Sequence, residues 1–466
     1  MSSRYKNLLK DTFIFSLGNL GTKLILFLMV PLYTNYMSKP DYGTADLVFT
    51  ISQLMAPFIS VVIFDAVIRF GLSKDEKKEN VILVGLIVLC ISTVLGLLLT
   101  PIIGLYKTIY EWKWYLYFYV IFNIAGSIEY SYLKAKGRNK SYSLLSIVQT
   151  GLMATLNVYF LVTKSMGIRG YLLAYIISNF IIDVLLFFAA DIGSDVRKAE
   201  FDKDLFKRMV LYSTPCILNN ISWWVIHSSD KMMVEVMVST SALGIYTAAA
   251  KIPALINVIV SIFQQAWGIS AVKEYETSND KEYYSTVFTY LFLIISGACI
   301  FFVSIIKIFM THYVGKDFLE AWQYVPLLLV SAVYAGVAAY FGAMYSALKK
   351  SINNMVSTSI AALVNIVVNW VLIPFIGICG AVIGTVIAYI VLAFVRIFDV
   401  IRFVEIDIKW RSFILTMFII ITQAILVSMN FYIILTSIVS IFLYLIINAN
   451  ELQNLYSWLK NAIVRK

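Results

Sequence analysis

Two of the 37 lysines and arginines in this chain stand where a charge is costly. Lys23 lies near the middle of an apolar run that opens at Phe13, and Lys251 sits about ten residues into another run near 242–268. A charge at membrane depth costs at least about 2.5–3.5 kcal/mol on insertion scales, so it faces a cavity or a partner. Neither lysine has an Asp or Glu within one helical turn. Each is therefore an anion-binding group, or a lysine that the fold pairs with a distant carboxylate or with helix-end carbonyls. A compact ammonium lacks the bidentate fork of arginine and suits a site that must release its anion. Asp65 and Arg69 are spaced i, i+4 and form either a local ion pair or a gate. Asp230 and Lys231 end one apolar run, where snorkelling is easy and a structural role weighs equally with a functional one. Glu129 and Asp183 are more isolated. Either could take up and release a proton or a cation. Arg396 and Asp399 lie near a helix end and are expected to snorkel.

Other chemistries have little to work with. Cys90, Cys216, Cys299 and Cys379 are far apart in apolar sequence, and His227 and His312 are the only histidines. Disulfide frameworks, zinc sites and Ser-His-Asp catalysis are all unsupported by these spacings. No cofactor is expected.

The elements that carry these groups follow from composition. The chain has 466 residues, 60% hydrophobic and 14% charged, against a usual charged share of roughly 25%. Mean hydropathy is +0.83. That excludes a soluble enzyme, a nucleic-acid binder and a disordered protein. Apolar runs fall near 11–36, 42–70, 81–105, 112–133, 141–163 and 168–190. They resume near 209–231, 242–268, 284–310, 321–347, 352–376, 378–400, 412–428 and 431–448. Runs of this length and continuity predict about 14 transmembrane helices rather than barrel strands. The run from Phe13 leads into Pro31 without a small-residue cleavage site, so it reads as a span and not a signal peptide. With the N-terminus inside, 27 of the Lys and Arg residues fall in inner segments and 8 in outer ones. The net charge of +10 is thus a topology signal that places both termini in the cytoplasm. Leu452, Leu455, Leu459 and Ile463 recur at helical spacing and predict an amphipathic tail helix over 449–466.

The chain also repeats itself. Gly137-Arg138-Asn139-Lys140 leads to a span, to Gly167-Ile168-Arg169-Gly170, and to Ala174-Tyr175. Lys349-Lys350-Ser351-Ile352-Asn353 leads to Gly377-Ile378-Cys379-Gly380 and Ala388-Tyr389. Leu8-Leu9-Lys10 and Leu205-Phe206-Lys207 open the first and seventh spans in the same way. Six spans separate the copies, so the halves form a parallel repeat about an axis along the membrane normal, a plan common among secondary transporters. The expected organisation is an N-terminal six-helix bundle, 1–190, a cytoplasmic linker, 191–208, and a C-terminal six-helix bundle, 209–400. Two extra transmembrane helices, 401–448, and the tail, 449–466, complete it.

A resemblance rests on segments in order across roughly 400 residues: Ser16-Leu17-Gly18-Asn19-Leu20 with Lys23, Pro40-Asp41-Tyr42-Gly43, and Asp230-Lys231 before Leu243-Gly244-Ile245-Tyr246 and Ala248-Ala249-Ala250-Lys251. Ala362-Leu363-Val364-Asn365, Leu372-Ile373-Pro374 and Gly377-x-x-Gly380-Ala381 follow. In these the chain resembles the bacterial polysaccharide (O-antigen, Wzx-type) flippases, of the superfamily that also holds MATE exporters and peptidoglycan-precursor flippases. The resemblance implies an all-α, MATE-like polytopic protein of the bacterial inner membrane. It implies a flippase that carries an undecaprenyl-pyrophosphate-linked oligosaccharide, an O-antigen or capsular repeat unit, outward by alternating access. Lys23 and Lys251, with Arg69 and Lys231, would contact the pyrophosphate. Asp65, Glu129, Asp183 and Asp230 would couple or gate, with a proton or sodium gradient as the driving force, and Trp223, Trp224 and Trp267 could stack on sugars. Membrane lipids, a polysaccharide polymerase and chain-length machinery are the implied partners, and nucleic acid is not. A MATE-like drug exporter is the nearest rival, and a membrane-embedded polymerase a more distant one. Single cysteines at Lys39 and Gly167 should react with impermeant thiol reagents from outside, and one at Ser141 should not; the opposite labelling pattern would overturn the topology.

Overall fold

The computed structural model describes residues 21–464 apart from 74, 278–279 and 349. The Ser16–Leu20 segment and the Leu8-Leu9-Lys10 copy lie outside the described residues. Every described regular element is a helix. Hydrocarbon offers no hydrogen bonds to the backbone, so long apolar segments must satisfy their own N–H and C=O groups. The chain falls into two compact units, Met1–Met232 and Met233–Lys466.

The first unit contains α1 (21–36), α2 (Lys39–Ile59), α3 (Ile63–Gly71), α4 (Lys78–Ile103), α5 (Lys113–Ala135) and α6 (Asn139–Val158). It continues through a π-helical turn, Tyr159–Thr163, to α7 (Gly167–Ala189), the short α8 (Ile192–Val196) and most of α9 (Lys203–Met237). The second unit holds α10 (Thr240–Ala250), α11 (Ala254–Thr277), α12 (Lys281–Tyr313), α13 (Val325–Ala347), α14 (Ser351–Ile376) and α15 (Ile378–Val400). It ends with α16 (Trp410–Ser428), α17 (Ile433–Ile447) and α18 (Ala449–Val464). Each expected span from the second to the fourteenth coincides with one of these helices or a bent pair of them. By length and composition eight helices can cross a membrane, or up to eleven if each bent pair is one span. α5 and α9 are helical over the expected stretches but do not pass that test.

The bent pairs have local causes. Between α2 and α3 the axis turns by 58°. Val61 and Val62 sit at φ 50° and 54°, a left-handed conformation that β-branched residues resist. Two serines hold the break. Ser60 Oγ donates to Ala56 O at 2.6 Å and accepts from Val62 N–H at 3.2 Å, and Ser92 Oγ donates to Ile59 O at 2.9 Å. In the second unit α10 and α11 meet at 48°, across Lys251, Ile252 and Pro253. Proline has no N–H and cannot continue the α10 ladder.

The α8 segment is pinned by basic side chains. Lys136 Nζ donates to Asp195 Oδ2 at 2.6 Å and to Ala190 O at 2.7 Å. Tyr132 donates to the same carboxylate at 2.7 Å, while Arg138 binds Asp191 at 2.5 Å and Ala189 O. Burial alone would raise the Asp195 carboxyl, but the Lys136 and Tyr132 hydrogen bonds outweigh it and hold the group below its ordinary range.

Each repeated Gly-x-x-Gly turn works in two parts. Gly167 and Gly377 take φ of +54° and +57°, which closes the turn. Gly170 and Gly380 then let the following helix approach the preceding one: a Cβ on Gly170 would meet Phe160 at 2.8 Å, and one on Gly380 the Leu372–Ile373 backbone at 2.6 Å. One turn on, Gly384 is pressed against the Asn369 amide oxygen. Gly384→Ala should therefore destabilise by roughly 1–3 kcal/mol through overpacking. Gly151→Ala, in α6 with open space around it, should be neutral or stabilising by about 0.5–1 kcal/mol. Thermal unfolding in detergent reads both, and equal shifts would refute the close-approach account.

Candidate functional site

In the first unit the charge at Lys231 is internal. Its Nζ lies 3.0 Å from Asp46 Oδ2 and 3.2 Å from Oδ1, with the side chains 21% and 9% exposed. Asp230 Oδ1 accepts the Lys231 backbone N–H at 2.9 Å. One turn further along α2, Thr50 O accepts Trp224 Nε1–H at 2.9 Å, so α9 is held to α2 by an ion pair and a hydrogen bond that lie one turn apart on α2 and two turns apart on α9. Lys231 therefore does not snorkel, and Trp224 spends its indole N–H on backbone. Asp46 is the group the sequence did not disclose, since nothing in spacing links residues 46 and 231.

Glu129 and Asp183 are not isolated. Both sit in the α5–α7 interface, close enough for their charges to act on each other. Asp183 Oδ1 lies 2.9 Å from where a Cβ on Gly126 would stand, one turn before Glu129. Tyr130 donates to Gln149 Oε1 at 3.2 Å, and Gln149 Nε2 donates to Asn179 Oδ1 at 2.8 Å. Asn179 is one turn from Asp183, so five polar side chains on α5, α6 and α7 form one layer. Glu129 Oε2, Asp183 Oδ2 and Asn179 Nδ2 are buried without a hydrogen-bond partner among the described residues. Such atoms are costly unless a ligand or water meets them.

Asp65 and Arg69 do not form the local ion pair that their spacing suggests. Asp65 is half-buried in the first turn of α3, just past the Val61–Val62 break, and Arg69 is exposed in its last turn. Lys23 is half-buried on α1. In the second unit Lys251 is not inside a continuous helix; it caps the end of α10 at the break, and its N–H reaches Ala248 O at 3.4 Å. The N-terminus of α11 opens three residues later.

A search against family models matches residues 8–268 to the polysaccharide biosynthesis protein family, more than half of the chain. The chain belongs to that family. The family member is 20% identical over 330 residues to the Lsg locus putative protein 1 of Haemophilus influenzae, covering 69% of this chain and 80% of that one. Among solved structures it is similar to the lipid II flippase MurJ in an inward closed conformation, with a TM-score of 0.69 and 15% identity over 95% of this chain and 100% of that one. It is also similar to an inward-facing MATE multidrug transporter of the MOP superfamily, with a TM-score of 0.62 and 16% identity over 81% of this chain and 98% of the other. A MOP superfamily transporter from Pyrococcus furiosus, described as having a binding pocket of reversed polarity, matches at a TM-score of 0.57 and 16% identity, over 84% and 95% of the two chains. The family member thus has the MATE-like, all-helical membrane fold.

Several side chains of this polysaccharide biosynthesis protein play other parts than their types suggest. Tyr33, Tyr42 and Tyr171 are buried in the first unit, where Tyr33 and Tyr171 meet edge to face at 4.7 Å. Phe49 joins them at 4.7 Å from Tyr175 and 4.8 Å from Tyr119. Trp267 is buried in the second unit, stacked on Tyr340 at 4.7 Å with its N–H on Tyr340 O, so it offers no face to a sugar. Arg396 does not snorkel either. It is 5% exposed and donates to Ser357, Ala338 O, Asn354 and Thr358 at 2.6–3.1 Å, with Gly342 leaving room for the guanidinium. Breaking the Asp46–Lys231 pair gives a direct check. Lys231→Ala alone should cost about 3–5 kcal/mol by leaving a buried charge, while Asp46→Ala with Lys231→Ala should recover much of it. Thermal stability and membrane abundance of the cycle measure this, and strictly additive losses would dissolve the pair.

Proposed function

We propose that this protein is a flippase that carries an undecaprenyl-pyrophosphate-linked oligosaccharide, an O-antigen or capsular repeat unit, across the bacterial inner membrane by alternating access. Membership of a polysaccharide biosynthesis family carries the reading. The fold shared with a lipid II flippase supports it. The reading takes both termini as cytoplasmic and the six-helix halves, 1–190 and 209–400, as the moving parts. Transport rather than catalysis is the activity.

Lys23 and Lys251 are the pyrophosphate contacts in this reading. A helix break beside Lys251 supports the assignment, because the N-terminal end of the α11 dipole adds positive potential to the ammonium. Arg69, exposed at the end of α3, and the Asp65 carboxylate beside the α2–α3 break serve as gate groups. Lys231 and Asp230 act through the Asp46 pair rather than by reaching substrate. Glu129 and Asp183 couple transport to a proton or sodium gradient: two carboxylates in one buried layer repel each other, and a bound cation relieves that repulsion. A MATE-like exporter is the second reading, favoured by that same acidic layer.

Export and abundance, measured together, test the assignment. Lys23→Ala or Lys251→Ala should cut surface polysaccharide at least tenfold with protein abundance unchanged. Lys→Arg should recover part, and Lys→Glu should fall below Ala. Glu129→Gln with Asp183→Asn should remove gradient dependence. Normal polysaccharide export from the Lys23→Ala, Lys251→Ala double mutant ends the cationic-site reading. Drug hypersensitivity of a deletion strain with intact polysaccharide would favour the exporter.

A further inference from the structure

At the basic end of α14 and α15, the second unit has an open cavity of about 670 Å³, within the usual size of ligand pockets, roughly 300–1,000 Å³. Its walls are Val356 from α14 and Ile390, Val391, Phe394 and Phe398 from α15. Of these, Val356 and Phe398 are 46% and 50% exposed. Large apolar side chains exposed there face acyl chains in a membrane protein.

The rim is polar and carries both signs. Asp399 and Arg402 lie three residues apart on the mouth, yet among the described residues neither makes an ion pair. Asp399 Oδ2 accepts Tyr345 O–H at 2.9 Å and Asn353 Nδ2–H at 2.7 Å, which fixes the carboxylate while Oδ1 accepts no hydrogen bond from the described residues. Behind the wall, the Arg396 guanidinium hydrogen-bonds only neutral acceptors, Ser357 Oγ of the cavity lining among them. Lys350, at the same end, lies over the Phe403 ring at 3.6 Å. A fixed acid and a free base thus sit one helical turn apart above an apolar slot. The matching ligand has an anion and a hydrogen-bonding cation a few atoms apart, on top of hydrocarbon.

We propose that this cavity holds one ethanolamine phospholipid, its ammonium on Asp399, its phosphate on Arg402 and the head of an acyl chain along Val391 and Phe394. Choline carries no N–H to donate to Asp399, and a glycerol headgroup brings no cation, so the rim discriminates among common phospholipids. The inference stands apart from what the protein transports, and a binding readout tests it without transport.

Native mass spectrometry of the full-length, delipidated protein, given equal amounts of phosphatidylethanolamine, phosphatidylcholine and phosphatidylglycerol, reads the site. The wild type should retain one phosphatidylethanolamine about tenfold over either competitor. Asp399→Asn keeps an acceptor for Tyr345 and Asn353 but should abolish the preference over phosphatidylglycerol. Arg402→Gln, on an exposed side chain, should weaken all three lipids, and Val391→Trp should fill the slot and remove the bound lipid. Equal retention of the three lipids by the wild type overturns the proposal. So does phosphatidylethanolamine retention that neither Arg402→Gln nor Val391→Trp reduces, whether or not Asp399→Asn folds.

Discussion

A hydrocarbon solvent gives nothing back to a polar group, and that rule sets the terms for this protein. Where the backbone runs regularly, helices satisfy it. Where it does not, a named side chain takes over. Ser60 and Ser92 hold the α2–α3 break, while Lys136 and Arg138 reach the carbonyls at the end of α7. Buried Arg396 is tolerated because four neutral acceptors from α13 and α14 surround it. Among the buried polar atoms that escape this rule in the described residues, those on Glu129, Asp183 and Asn179 stand together in one layer. Their shared position is what makes a functional reading of the layer stronger than any of its members taken alone.

The packing follows a second limit, the space between helices. In each repeated turn one glycine adopts the left-handed conformation and the next removes a Cβ from the contact. The following helix can then lie against its predecessor along most of its length. A motif made of glycine carries no chemistry, yet it accounts for much of why the sequence repeats.

Helix positions were legible because apolar runs and basic loops are local signals that reinforce each other. The Gly-x-x-Gly duplication was legible for the same reason. Long-range pairing was not. At the end of an apolar run Lys231 has the look of a snorkelling residue, because its partner Asp46 is 185 positions away. The i, i+4 spacing of Asp65 and Arg69 promised a contact, but α3 leaves one carboxylate half-buried and the arginine exposed. Tyrosine is ambiguous by nature: its ring suits a core and its hydroxyl an interface, and only the fold showed that Tyr33, Tyr42 and Tyr171 belong to the former. Lys251 falls within a continuous apolar run, and Pro253 alone does not say whether a span kinks or stops.

Lys136 and Arg138 have one more consequence. During membrane insertion, basic residues in short loops are read before any tertiary contact exists, and they retain that loop on the side of synthesis. The same two side chains later fasten α8 through Asp195, Asp191 and the carbonyls that end α7. In the topology proposed above, a single pair of codons is thus read twice, first by the insertion machinery and then by the folded protein, so that orientation and assembly depend on the same two side chains.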